Sequence, residues 1–324
     1  MENKKIFRYE KDYYTKMLEK ALGDFWTYSS VNYVDDRAGF ETLEPREKHM
    51  FKATLGYQSL MDTDVTGGYF DLAKLVDSKT LKNLYIAIGH QEMIHFNSYS
   101  YGIDQVFGSN ANEIFDWIES QQDIFDRMIV ENRDEELAMK EPTKENVIKH
   151  IINTFLLEQI KFPLSFYVTF KINDNNSGAI NGFTQALKEI AHDELTTHVP
   201  TNAYVLKNEF KEYRDYIELK LKERINEIIK EEIKWMKFLF KEGEASYLNE
   251  KMYTDMLKYF INKALELVGF EEEYEDVNKI EILWFNEYRK INNTVVSQQE
   301  TDSVAYSVNV VRNINDLDKE VKNG

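Results

Sequence analysis

The sequence predicts an all-α helical bundle. First, strong helix breakers are scarce: only 4 Pro and 13 Gly occur in 324 residues. Second, 30% charged and 43% hydrophobic residues make the mixture that long amphipathic helices need. Third, several segments place apolar residues at helical spacing between recognisable start and stop signals. The length allows about two domains and fits one large helical domain equally well. A net charge of −17 argues against nucleic acid and against anionic membranes as partners. There is no cysteine, hence no disulfide framework and no thiolate site. No apolar leader stands at Met1–Phe7 and no run approaches the ~20 residues that span a bilayer, so a cytoplasmic protein is expected.

Residues 1–44 are aromatic-rich, with Phe25-Trp26 followed by a polar stretch; locally, Trp26 reads as a packing residue. Leu43-Glu44-Pro45-Arg46-Glu47 starts a helix, with proline in the first turn and acids at the positive end of the dipole. The helix is expected to stop near Val65, before Gly67-Gly68. Asp62 stands there among Leu55, Leu60 and Met61, an inward position costly for an unpaired charge. Residues 78–106 and 111–138 read as the next helices, the second with Ile114, Trp117, Ile118, Ile124, Phe125 and Met128 as its apolar face. Glu141-Pro142-Thr143 punctuates the chain. Residues 144–172 read as a long apolar helix with Glu158 behind three apolar residues, and Pro163 is expected to bend it just after Glu158. After a polar loop, 183–207, 211–241 and 246–268 complete the helices. From Ser297 the chain turns polar, which predicts a domain over 1–296 and a mobile tail over 297–324.

Chemistry concentrates in Gln91-Glu92-Met93-Ile94-His95-Phe96-Asn97-Ser98-Tyr99. At roughly 100° per residue, 92, 95 and 99 share one helix face, with Glu92 and His95 about 4.5 Å apart along the axis. Glu-x-x-His alone also occurs by chance on solvated helix surfaces. Here, however, Asp62, Glu158 and Glu194 supply further acids from three other helices, and His198 follows Glu194 by four. Four carboxylates and two imidazoles facing one another make a dinuclear metal site of the ferritin-like type, in a helical bundle with additional helices. Two divalent cations bring +4 and the carboxylates −4, so the cluster is neutral. Oxygen donors with one imidazole per ion suit iron, or manganese, over copper or zinc.

These residues resemble the radical-generating small (β) subunit of class I ribonucleotide reductase, over most of the chain. Leu43 to Thr63 is similar to the family's first ligand helix, Gln91–Tyr99 to the second, Leu157-Glu158 with Phe162 and Phe166 to the third, and Ile190–Glu194 to the fourth. The resemblance implies the ligands Asp62, Glu92, His95, Glu158, Glu194 and His198. It further implies a tyrosyl radical at Tyr99 and an apolar shield of Phe162, Phe166 and Ile190. It gives Trp26, Asp193 and His95 the role of a hydrogen-bonded chain toward the large subunit, with Tyr306 as a relay and Glu300 assisting it on the tail. A large (alpha) subunit partner and a homodimer follow by implication, and manganese in place of iron would need a reduced-flavoprotein activator. An apt detail is the phenol, neutral at rest with a pKa near 10, whose oxidation needs a proton acceptor such as Asp62.

The chain departs from the family pattern at Glu194-Leu195-Thr196-Thr197-His198, one residue longer than Glu-x-x-His. A regular helix or a one-residue bulge would each accommodate it. Pro163 and His192 also depart. The alternative reading is a related dimetal-carboxylate oxidase or hydroxylase acting on a small molecule or fatty acid. Asp62 as first acid, Tyr99 and the tail with Tyr306 argue against it; a metal-storage bundle would be about half this length.

Overall fold

Helix α3 (Pro45–Leu75) and helix α4 (Lys79–Phe107) form the hairpin on which the rest is built, packed along most of their lengths. The structure, a computed structural model, describes residues 9–127 and 129–291. Before the hairpin come α1 (Tyr13–Gly23) and α2 (Asp36–Thr42). After it come α5 (Ala111–Glu119), α6 (Gln122–Asp126) and α7 (Ile129–Lys140). Two long rods follow. One is α8 (Lys144–Leu156), a π-turn at Leu157–Lys161, and α9 (Phe162–Asn175). The other is α10 (Asn181–Asp193), a π-turn at Glu194–His198, and α11 (Val199–Tyr204). Helices α12 (Arg214–Leu239), α13 (Glu250–Val268) and α14 (Lys279–Tyr288) complete it.

The ends follow from local chemistry. Pro45 opens α3, and the Glu47 carboxylate accepts from the Glu44 N–H at 2.8 Å, closing a capping box. The Ser78 hydroxyl caps α4 and the Thr143 hydroxyl caps α8. Helix α10 is capped from outside its own sequence: the Asp36 carboxylate accepts from the Gly182 and Phe183 N–H groups at 2.8 and 2.9 Å. That bond fixes the start of a rod whose far end carries chemistry.

Two expectations fail. Helix α3 does not stop before Gly67-Gly68 but continues for two turns. A Cβ on Gly68 would lie 3.2 Å from Glu135 Oε2 and 3.3 Å from His150 Cε1, so glycine serves close helix contact here and not termination. The stretch 111–138 is not one helix. Gln121 is extended (φ −94°, ψ 97°) and separates α5 from α6, and a second break follows Asp126. The apolar spacing survives across the breaks, with Ile114, Ile118 and Ile124 all buried.

Pro163 marks a change of hydrogen-bond register. The Phe162 N–H bonds to the Leu157 carbonyl, five residues back, and Pro163 follows. The second rod repeats this: the Val199 N–H reaches the Glu194 carbonyl and Pro200 follows. A proline inside an α-helix clashes with the carbonyl four residues back and leaves it without a donor. A widened turn relieves the clash. These two π-turns pack against each other, and a third, Val205–Glu209, follows α11. Lys161, in the first, is fully buried and donates to Glu231 Oε2 of α12 at 3.1 Å. Among the described residues, no helix is long and apolar enough to cross a membrane.

Candidate metal centre

Four helical rods deliver six side chains to one interior point. Asp62 comes from α3, Glu92 and His95 from α4, Glu158 from the first π-turn, and Glu194 and His198 from the second. All six are fully buried. Their donor atoms form two clusters, Asp62–His95–Glu194 and Glu92–Glu158–His198, each within 4.8 Å. Glu92 faces both imidazoles: its Oε2 lies 3.2 Å from His95 Nδ1 and its Oε1 2.9 Å from His198 Nδ1.

The outer faces of the histidines fix which nitrogen points inward. His95 Nε2 donates to Asp193 Oδ2 at 3.1 Å, and His198 Nε2 donates to Gln91 Oε1 at 3.1 Å. Each ring is thereby left with Nδ1 toward the carboxylates, the arrangement in which an imidazole ligates a metal. Asp193 Oδ2 also accepts from Trp26 Nε1 at 2.9 Å, and the Trp26 and His95 rings stack at 6.1 Å.

The electrostatics leave the cluster needing cations. Burial pushes the carboxyls of Asp62 and Glu194 well above their usual range, and their acidic neighbours add to it. Burial likewise raises Glu158 to about 7, against the pull of His198. Glu92 goes the other way: burial opposes its ionisation, but His95 and His198 outweigh it and hold it at about 2. The same carboxylates overcome burial to raise His95 to about 10 and His198 to about 9. Among the described residues, both oxygens of Asp62, both of Glu194 and Oε2 of Glu158 have no hydrogen-bond partner of good geometry. Orphaned buried oxygens are rare and costly. Five of them converging with two inward imidazole nitrogens fit a pair of divalent cations, which would satisfy the lone pairs and the charge together.

Tyr99 is buried one turn beyond His95, its hydroxyl without a hydrogen bond of good geometry. Burial, then the nearby Asp62 carboxylate, raises its pKa and keeps the phenol neutral.

A family model described as ribonucleotide reductase, small chain, matches residues 3–279. The chain belongs to this family. The ribonucleoside-diphosphate reductase subunit beta of Buchnera aphidicola subsp. Acyrthosiphon pisum is 25% identical to this small chain, across 94% of it and 89% of the relative. The ribonucleotide reductase R2 subunit from Clostridium botulinum has the same fold, with a TM-score of 0.80 at 21% identity, covering 87% and 89% of the two chains. An R2-like ligand-binding oxidase variant carrying a Mn/Fe cofactor matches with a TM-score of 0.70 at 17% identity, over 80% of this chain and 94% of that one. As a ribonucleotide reductase small chain, the protein is a subunit of an oxidoreductase, in a family that binds two metal ions and pairs with a large subunit.

The structure therefore brings together Asp62, Glu92, His95, Glu158, Glu194 and His198, with Tyr99, Asp193 and Trp26 about them. Glu300, Tyr306 and the whole 297–324 segment lie outside the described residues. Sequence reasoning assigned no role to Gln91 or Tyr69, which hydrogen-bond to His198 and Glu158, or to Asn202, which hydrogen-bonds to Tyr69. Spacing was the available signal. Tyr69 lies seven residues after Asp62 and Asn202 four after His198, so each shares a helix face with a ligand candidate.

Proposed function

We propose that these six side chains bind two metal ions and that the protein makes and stores a radical on Tyr99 for the large subunit of ribonucleoside-diphosphate reductase. The reading rests on one observation above the others: a single buried carboxylate, Glu92, faces the Nδ1 atoms of two histidines from different helices. Held by these six side chains, a pair of irons would supply, with O₂, a one-electron oxidant, whereas manganese would need a reduced-flavoprotein activator. Iron is our first choice and manganese the second, since carboxylate oxygens with one imidazole per ion suit either over copper or zinc. Tyr99 gives up an electron and its phenolic proton, and the Asp62 carboxylate is the base placed to take that proton. Phe162, Phe166 and Ile190 are all fully buried and would form the apolar shield that the family resemblance implies for the ring.

Asp193 receives both Trp26 and His95 on one oxygen and so couples the centre to the side of the bundle that carries Trp26. Trp26 would pass the oxidising equivalent outward, and Tyr306, assisted by Glu300 on a docking tail over 297–324, would hand it to the large subunit. A second copy of this chain would complete a homodimer. The cytoplasm, where deoxyribonucleotides are made for replication, is the expected setting. A dimetal oxidase acting on a free small molecule is not favoured, because the family match extends through residue 279 and the Trp26–Asp193–His95 chain leads away from the centre.

Tyr99→Phe tests the reading. Metal analysis should still find two ions per chain, the tyrosyl signal in paramagnetic resonance should vanish, and nucleotide reduction with the large subunit should fall to background. Retained turnover would remove Tyr99 from the mechanism.

A further inference from the structure

A second buried phenol touches the centre, from the side opposite in role to Tyr99. The Tyr69 hydroxyl donates to Glu158 Oε1 at 2.6 Å. The Tyr69 phenolic oxygen accepts from Asn202 Nδ2 at 2.9 Å, which leaves the hydroxyl's only hydrogen for Glu158. Asn202 is oriented in turn: its Oδ1 accepts from the Tyr85 hydroxyl at 3.1 Å. All three residues are fully inaccessible to solvent, and the Tyr69 ring lies edge-on to His198 at 5.7 Å and tilted against Tyr85 at 5.7 Å. Every donor in this chain points toward Glu158, so the bonds polarise one another in one direction, ending on a carboxylate.

Among the described residues, no other acid ends such a chain. Asp62 faces the Tyr99 phenol without a hydrogen bond of good geometry, Glu194 keeps both oxygens without a hydrogen-bond partner, and Glu92 faces the two histidines. The two clusters are therefore unequally prepared. Glu158 is held before any ion arrives, whereas Asp62 and Glu194 must be ordered by the ion itself, at a cost in side-chain freedom. We propose that Tyr69 is a positioning residue that fixes Glu158 and thereby gives the Glu92–Glu158–His198 cluster a tighter hold on its metal ion than the Asp62–His95–Glu194 cluster has. The inference rests on the metal-centre reading above and deepens it: one subsite is filled first, and a neutral hydrogen-bond chain decides which.

The test is a titration of metal-free, full-length protein with Mn(II), with the free ion counted from its six-line paramagnetic resonance signal. The wild type should bind two ions per chain with unequal affinities. Tyr69→Phe should weaken the tighter equivalent by about 10–100-fold, the usual effect of losing an outer partner of a ligand, and leave the weaker one within about threefold. Tyr85→Phe keeps the Tyr69 hydroxyl but loses the far end of the chain. It should weaken the same equivalent by a smaller factor, and it decides the matter should Tyr69→Phe fail to fold. Equal weakening of both equivalents, or of neither, overturns the proposal. A wild type that does not bind two ions defeats instead the metal-centre reading on which it stands.

Discussion

Helix α4 and the rod that continues α10 each present a glutamate and a histidine to the same centre, on different backbones. In α4 the pair is Glu92-x-x-His95 on a regular α-helix. In the second rod it is Glu194-x-x-x-His198 on a π-turn, with the Val199 N–H bonded five residues back to Glu194. The added residue is absorbed within the turn. Upstream, α10 stays pinned at Gly182 and Phe183 by Asp36; downstream, Asn202 still reaches Tyr69. What the centre demands is the position of the donor atoms, and the chain meets that demand at either spacing when the backbone has room to widen. The histidines differ also in what stands behind them, a carboxylate for His95 and a neutral amide for His198.

The strongest way to break this comparison is to exchange the spacings. One alanine inserted between Met93 and Ile94 adds a residue where α4 has no π-turn, and turns everything downstream by roughly 100°. His95 and Tyr99 would swing out of the centre together, and both metal binding and the tyrosyl signal should be lost. Deleting Thr196 removes the residue that the π-turn absorbs and leaves a spacing that α4 already uses. Two ions per chain should still bind. If the deletion abolishes binding in a protein that keeps its helicity, the widened turn is itself required and the two backbones are not equivalent.

Proton competition comes next in size. Without a cation His95 and His198 hold their protons up to about 10 and about 9, the higher value belonging to the ring backed by Asp193. An ion takes each Nδ1 only when that proton leaves, so affinity rises with pH. Below about pH 8 the product of the two binding constants should climb roughly 100-fold per pH unit, tenfold for each imidazole proton. The raised carboxyls of Glu158, Asp62 and Glu194 steepen this slope further toward acid. Metal titrations at several pH values, with proton release recorded alongside, check it. A slope below tenfold would show that the imidazoles are not the groups being displaced.

Smaller effects should separate the two outer partners. Asp193→Asn weakens the support of His95 and the bond to Trp26 at once, whereas Gln91→Leu removes a neutral acceptor from His198 alone. Loss of an outer partner costs about 10–100-fold in metal affinity or activity, with Asp193→Asn expected at the upper end and Gln91→Leu at the lower. Asp193→Asn should in addition separate radical formation from nucleotide reduction, the first surviving better than the second. Equal losses in every readout would mean that the carboxylate and the amide are interchangeable.

Charged groups made the centre legible in the sequence. Asp62 and Glu158 stand among apolar neighbours, where an acid needs a reason, Glu194 has a histidine four residues on, and the spacing of 92, 95 and 99 on one face follows from helix geometry alone. Neutral partners carry no such signature. Tyr69 is one of 20 tyrosines and Gln91 looks like any helix glutamine until a structure shows what they bond. Helix ends were legible where a local cap makes them, as at Glu44-Pro45 and Ser78. They were misjudged where tertiary contact decides, as at Gly67-Gly68, where a neighbouring helix presses close, and at Gln121, where an amphipathic pattern runs on across a break.

The least effect is expected from the prolines, and it sharpens the account of the π-turns. Pro200 stands two residues after His198 and Pro163 two after Lys161. Either the prolines force the turns open or they merely tolerate a widening imposed by the number of residues between fixed ends. Pro200→Ala restores an N–H able to bond back along the rod, worth about 0.5–1.5 kcal/mol, and gives up about 0.4–1 kcal/mol of rigidity in the unfolded chain, so stability should change by under about 1 kcal/mol. It cannot remove the extra residue between Glu194 and His198. Metal affinity should therefore stay within a few-fold, roughly 1 kcal/mol or less, of the wild type. A tenfold loss in Pro200→Ala, against retained binding on deletion of Thr196, would assign the turn to the proline and not to the residue count.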